Sequence, residues 1–104
     1  MKDGMKTVYI AGPISTNPHY REDFGEAEGL VSAYGHKPIN PTAHGLEGVP
    51  WADAMIACLH LLKTADVIYL MPHWGRSHRA SIEKVFAQKL GIRVIYDLKE
   101  LMEV

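Results

Sequence analysis

The chain has 104 residues, enough for one domain with a real core and too few for two. Its 47% hydrophobic and 22% charged composition is that of an ordinary globular protein, and a formal charge of −1 removes the electrostatic footprint of a duplex-binding protein, so no nucleic acid polymer is expected as a partner. No apolar run is long enough to span a membrane, there is no cationic-apolar leader, and the single cysteine, Cys58, excludes an internal disulfide; no membrane partner and a cytoplasmic location are expected.

Residues 6–11 (KTVYIA) make a short apolar run that stops at Gly12-Pro13 and reads as a first strand. The loop 12–19 (GPISTNPH) holds two prolines, a glycine and three small polar residues, so it is neither helix nor interior strand. In 21–34, Phe24, Ala27, Leu30, Val31 and Tyr34 fall along one stripe, which predicts a first helix closed by Gly35. Residues 36–40 read as a brief second strand stopped by Pro41, and 41–50, with Gly45 and Gly48, as a mobile flap. The second helix, 51–64, has a narrow polar arc of Asp53, His60, Lys63 and Thr64. Its apolar arc (Trp51, Met55, Ile56, Leu59, Leu62) is wider than one sheet face needs, so a homodimer or higher homo-oligomer through helix 51–64 is expected.

The apolar run 67–71, launched from Asp66, has the β-branched and aromatic content of a strand buried on both faces. A turn-forming loop, Pro72-His73-Trp74-Gly75, follows, and Ser77 then caps a third helix that ends at Gly91. Residues 92–96 (IRVIY) are the fourth strand, and 97–104 a last short turn. Strands alternating with helices of this length require right-handed parallel crossovers. The predicted fold is therefore α/β: one domain, 1–104, built on a small open doubly wound parallel sheet of flavodoxin or Rossmann type, ordered 2-1-3-4, with helices on both faces. In that order the chain reverses direction between strands one and three, so loops 12–19 and 72–77 flank one crevice, where such sheets bind ligands.

At that edge the sequence gathers Tyr9, the backbone of Gly12, Pro13, Ile14 and Ser15, then Trp74 and Ser77, with Glu83 beneath. The N–H groups of His78, Arg79 and Ala80 open the third helix and suit a phosphate, with Ser77 adding a hydroxyl. Trp74 is placed to stack on a base, and Tyr9 to donate a hydrogen bond to a sugar or carboxylate. Taken singly, each residue also has a structural use as a cap or as rim packing; their convergence on one edge is what points to a site. Glu83, stepped at about 100° per residue from Ile82, lies between Phe86, Leu90 and Ala87 at the margin of the apolar face. It is either a partly desolvated carboxylate tuned for chemistry or the i,i+4 ion-pair partner of Arg79. None of the six histidines forms HxxxH and no cysteine pattern accompanies them, so no metal or other cofactor is expected. Cys58 falls amid Met55, Leu61 and Leu62, where a cysteine serves as a small core residue.

The stretches VYIAGPIS, the Asn40-Pro41 pair and ADVIYLMPHWGRSHRASIEKVFAQKLG resemble the DUF4406 family of phage and prophage proteins. That family lies in the nucleoside 2-deoxyribosyltransferase-like superfamily, which includes deoxynucleoside monophosphate N-glycosidases. The resemblance spans nearly the whole chain, and its most specific part is a serine six residues before a glutamate, here Ser77 and Glu83. It implies a small-molecule nucleoside or nucleotide as partner and cleavage or transfer of the N-glycosidic bond. Glu83 would then attack the anomeric carbon, or assist water there, and Tyr9 matches the superfamily's first-strand tyrosine. A neighbouring subunit completes the pocket in the transferases so resembled. Two positions depart from the pattern: Cys58 stands where relatives commonly carry an aspartate, and Arg79 where they tend to have glycine. Arg79 is placed to pair with a phosphate instead. The alternatives to catalysis are a silent nucleotide-binding module and a homo-oligomeric scaffold.

Overall fold

The structure, a computed structural model, describes residues 4–104, so the first three residues of the expected 1–104 domain lie outside it. Four strands, β1 (Thr7–Ala11), β2 (Lys37–Ile39), β3 (Val67–Leu70) and β4 (Arg93–Ile95), form one sheet in the order β2-β1-β3-β4. Every pairing is parallel, with Tyr9 opposite Ile39 on one side and Ile68 on the other. The predicted topology is the observed one. Three helices connect the strands: α1 (Tyr20–Ala33), α2 (Trp51–Lys63) and α3 (His78–Lys89). No helix among the described residues is long and apolar enough to cross a membrane.

The period of two along β1 divides the core. Val8 and Ile10 face α1 and join Phe24, Val31, Val67 and Ile95, whereas Tyr9 and Ala11 face α2 and α3 and join Cys58, Leu62, Ile68, Ala80 and Ala87. All four residues of β3 are buried, as a strand covered on both faces requires. Complete burial of each large apolar side chain contributes about 1.5–3 kcal/mol, so both layers hold the sheet. Gly12 ends β1 hard against β3: a Cβ there would lie 2.6 Å from Cε and 3.1 Å from Cβ of Met71.

Element ends differ from the sequence reading by a residue or two, and two loops contain structure that the sequence reading left irregular. Pro41–Ala43 is a 3-10 turn, because Asn40 caps it by accepting from the Thr42 N–H at 2.9 Å and Pro41 fixes its first residue. Trp74–Arg76 is another, entered through His73 at φ +67°, a left-handed conformation uncommon for a residue with a side chain. The last turn is a 3-10 segment, Leu98–Glu103, opened by a capping box in which Asp97 accepts from the chain ahead and Glu100 from the chain behind.

His36 joins three remote pieces of backbone. Its Nδ1 accepts from the Lys6 N–H at 3.0 Å, which places the proton on Nε2, and Nε2 donates to the Leu101 carbonyl at 3.2 Å. The imidazole thus ties the entry of β1 and the final turn to the edge of the sheet while only 9% exposed. His36→Ala is expected to leave that donor and acceptor unsatisfied and to cost about 1–3 kcal/mol in chemical denaturation; a stability equal to wild type would show that neither bond holds the termini.

Candidate functional site

The centre of the site is the pair Tyr9 and Glu83. The sheet alternation turns Tyr9 toward α3, and the start of α3 is fixed by Ser77, whose Oγ accepts from the Ala80 N–H at 3.1 Å. From that start, Ala80, Glu83 and Ala87 follow at spacings of three and four and form the buried stripe of the helix. The two alanines let α3 lie close to the sheet, and Glu83 reaches across the gap. The Tyr9 hydroxyl donates to Glu83 Oε2 at 2.6 Å, a short charge-assisted geometry. Tyr9 is fully buried and Glu83 is 2% exposed.

Their electrostatics follow from that burial. Desolvation pushes the Glu83 carboxyl up to about 7, against the lowering effects of the Tyr9 hydrogen bond and the Arg79 charge. Tyr9 is driven well above its ordinary value by burial first and by the Glu83 charge second, so it remains the donor. Cys58, the third member of this cluster, is raised mainly by burial and stays a thiol. Arg79 points at it, with Nη1 3.9 Å from Sγ, and no ion pair joins Arg79 to Glu83 among the described residues. The two readings of Glu83 thus separate: its fixed partner is Tyr9 rather than the arginine one turn away.

Two cavities open at the C-terminal edge of the sheet. The smaller, about 390 Å³, is lined by Ile14, Tyr20, Leu46, Glu47, Ala54 and Arg79 among others, and Arg79 joins it to the Tyr9–Glu83–Cys58 cluster. Loop 41–50 forms one wall and is tied to α1, since Glu47 accepts from the Tyr20 hydroxyl at 2.8 Å and pairs with Arg21. The larger, about 510 Å³, lies on the α1 side of the sheet and includes neither Tyr9 nor Glu83 in its walls.

The residues singled out in the sequence divide accordingly. Tyr9, Glu83, Ile14 and Arg79 come together at or beside the smaller cavity. Gly12 and Pro13 are buried, with Pro13 turned to the larger cavity, and Ser15 is exposed. Ser77 spends its hydroxyl on Ala80, so that N–H is already engaged. His78 is exposed, its ring 5.8 Å from that of Trp51. Trp74 lies toward β4, 6.0 Å from the Tyr96 ring and with the Lys84 ammonium 4.9 Å from its centroid, and lines neither cavity. Tyr20, Glu47 and Ala54 were missed, because nothing in their spacing relates them to loop 12–19. Among the described residues no group of three or more His, Cys, Asp or Glu is arranged to hold a metal ion.

Comparison with known proteins agrees with this fold. No curated protein matches the chain. Among solved structures, a 2-deoxyribosyltransferase from Leishmania mexicana superposes with a TM-score of 0.67 at 23% identity, over 86% of this chain and 62% of that one. The chain therefore spans less than two-thirds of that enzyme's length. A 2-deoxyribosyltransferase from the psychrotolerant bacterium Bacillus psychrosaccharolyticus, described as a biocatalyst for the synthesis of antiviral and antitumoral nucleosides, gives 0.67 at 19% identity, over 89% of this chain and 78% of that one. These likenesses establish a shared fold. The model of one family, described as a domain of unknown function, DUF4406, matches residues 6–96, and the chain belongs to that family.

Proposed function

We propose that the protein cleaves or transfers the N-glycosidic bond of a nucleoside or nucleotide, with Glu83 as nucleophile and Tyr9 as the group that orients it. The observation that carries this reading is the buried carboxylate held at 2.6 Å by a phenol, next to a cavity of about 390 Å³. With Oε2 occupied by Tyr9, Oε1 is left to attack the anomeric carbon. As that bond forms, the bond to the base breaks, its electron pair passes to the base nitrogen, and the base takes up a proton from water. Water or an incoming base then displaces the sugar from Glu83, giving hydrolysis or transfer. Arg79 stands in the cavity wall as the contact for an anionic group of the substrate. Trp51 and Ile56, each at least half exposed on α2, supply an apolar surface for a second copy of the chain.

A silent nucleotide-binding module is the second reading, favoured by two observations. Glu83 itself lines neither cavity, and the buried Cys58 beside it is a neutral thiol, which under the family resemblance stands where relatives commonly carry an aspartate. Base release from a panel of nucleosides and 5′-monophosphates separates the two. Catalysis predicts release by wild type and none by Glu83→Gln; thermal stabilisation by the same compounds without release selects the silent module. Tyr9→Phe should lower the rate about ten- to a hundredfold, the equivalent of a hydrogen bond to a charged group. It should also move the pH profile upward, because the Tyr9 bond lowers the Glu83 pKa. In wild type the rate should rise with pH through about 7, since attack requires the ionised carboxylate.

Stability has the opposite pH dependence. Glu83 titrates near 7 when folded against 4.5 ordinarily, so between those values the folded protein holds a proton that the unfolded chain releases. Its contribution is fully present below about 4.5 and is lost as pH rises to about 7, by about 3 kcal/mol. Denaturation at pH values on either side of this window should show the loss in wild type and not in Glu83→Gln; an equal response of both proteins would remove Glu83 as its source. Light scattering at micromolar concentration checks the assembly, and a monomer would count against α2 as an interface.

A further inference from the structure

We propose that the cavity between α1 and the turn after β3 is a second binding site, one that takes a small zwitterion with an ammonium at one end, a carboxylate at the other and a short apolar body. It does not depend on the reading of Glu83, which faces the opposite side of the sheet.

The volume, about 510 Å³, falls within the range of about 300–1,000 Å³ usual for small-molecule sites. Its lining mixes apolar residues with polar ones, Thr16, Asn17 and His73 among the latter, and the buried polar member is Tyr69. Tyr69 is 9% exposed, and its hydroxyl has no hydrogen-bond partner among the described residues. Every fully enclosed side-chain nitrogen or oxygen among those residues does have a partner, so the Tyr69 oxygen is not enclosed; it opens into the cavity whose wall the ring forms. Burial, then the charges of Asp97 and Glu26, raises its pKa, which keeps the phenol protonated and able both to donate and to accept. A tyrosine this deeply buried normally satisfies its hydroxyl.

The walls carry charges of both signs on different elements. Asp23 and Glu26 project from α1, and Arg76 comes from the turn after β3. Asp23 has one oxygen held by the Asn17 amide at 2.8 Å; its other oxygen and both of Glu26 have no partner among the described residues. Arg76 likewise has no carboxylate within ion-pair distance among them. Opposite charges that share a cavity without meeting fit a ligand that spans them. An ammonium would donate to the α1 carboxylates and to Tyr69, a carboxylate would accept from the Arg76 fork, and methylenes would cover Leu30, Met71 and Leu98. Asp23, Glu26 and Arg76 are all exposed at the cavity's rim, and a ligand of one charge would engage only one of the two walls.

The test uses the full chain and three probes that share one apolar body: ε-aminocaproate, hexylammonium and caproate, titrated by NMR chemical shift. Saturable binding of ε-aminocaproate at millimolar concentration, tighter than either singly charged probe, is the expected result. Tyr69→Phe should weaken it about fivefold, the equivalent of one neutral hydrogen bond, and Glu26→Gln or Arg76→Gln about tenfold each. Affinity unchanged in all three variants overturns the site. Hexylammonium or caproate binding as tightly as ε-aminocaproate overturns the zwitterion, and failure of all three probes to saturate overturns both.

Discussion

A phenol on the central strand and a carboxylate seventy-four residues later share one short hydrogen bond in a place from which water is excluded, and much of the molecule serves to keep them there. The sheet must be parallel and ordered with β1 in the middle for Tyr9 to be covered by α3 at all. The register that Ser77 sets by capping α3 must hold, since sliding the helix by one residue would rotate Glu83 by about 100° away from the sheet. Burying a carboxylate is costly in isolation, and here the cost is offset only in part: burial outweighs the phenol and the guanidinium together, and the group titrates near neutrality. That shift by desolvation, at the C-terminal edge of a doubly wound sheet, is the ground on which Glu83 is proposed as the nucleophile.

The two faces of the sheet show different characters at the C-terminal edge of its strands. On the α2–α3 face the titratable groups are internal and joined to each other: Tyr9 to Glu83, and Arg79 to Cys58. On the α1 face they are exposed around a larger cavity and are not joined, with Tyr69 as the buried element. Both arise from the same strand alternation, since neighbouring residues of β1 and β3 point to opposite layers. A fold of four short strands thus brings two chemically distinct hollows to one edge.

Fold class, strand order and element existence were legible in the sequence because β1 and β3 are apolar runs, all four strands are bounded by glycine or proline, and each helix has a recognisable stripe or cap. The meeting of Glu83 with Tyr9 was legible too, although the helical wheel placed Glu83 only at the margin of the buried face. The reason is physical. The face of α3 that meets the sheet is Ala80, Glu83 and Ala87, whereas Val85 and Leu90, which dominate a hydrophobicity count, are exposed. A stripe of small residues around a carboxylate scores as weakly polar, so the pattern points to the wrong side. An aromatic residue in a loop at the crevice edge suggests stacking on a ligand; the neighbours of Trp74 in the structure are Tyr96 and Lys84, which its sequence position does not reveal. Tyr20 and Glu47 were not legible, since their hydrogen bond joins α1 to a loop twenty-seven residues away without any local periodicity.

The alanines of α3 have a bearing on how this chain can vary. Ala80 and Ala87 have no measurable exposure, and they set the thickness of the layer between helix and sheet. A larger side chain at either position would act as a spacer, lifting α3 by a methylene or more while leaving both Tyr9 and Glu83 in the sequence. The pair would then be present but parted. Within this fold the reach of a glutamate is fixed, so the gap it must cross is controlled by the two smallest residues beside it, and a change in either would alter the acidity of Glu83 without touching an atom of the site.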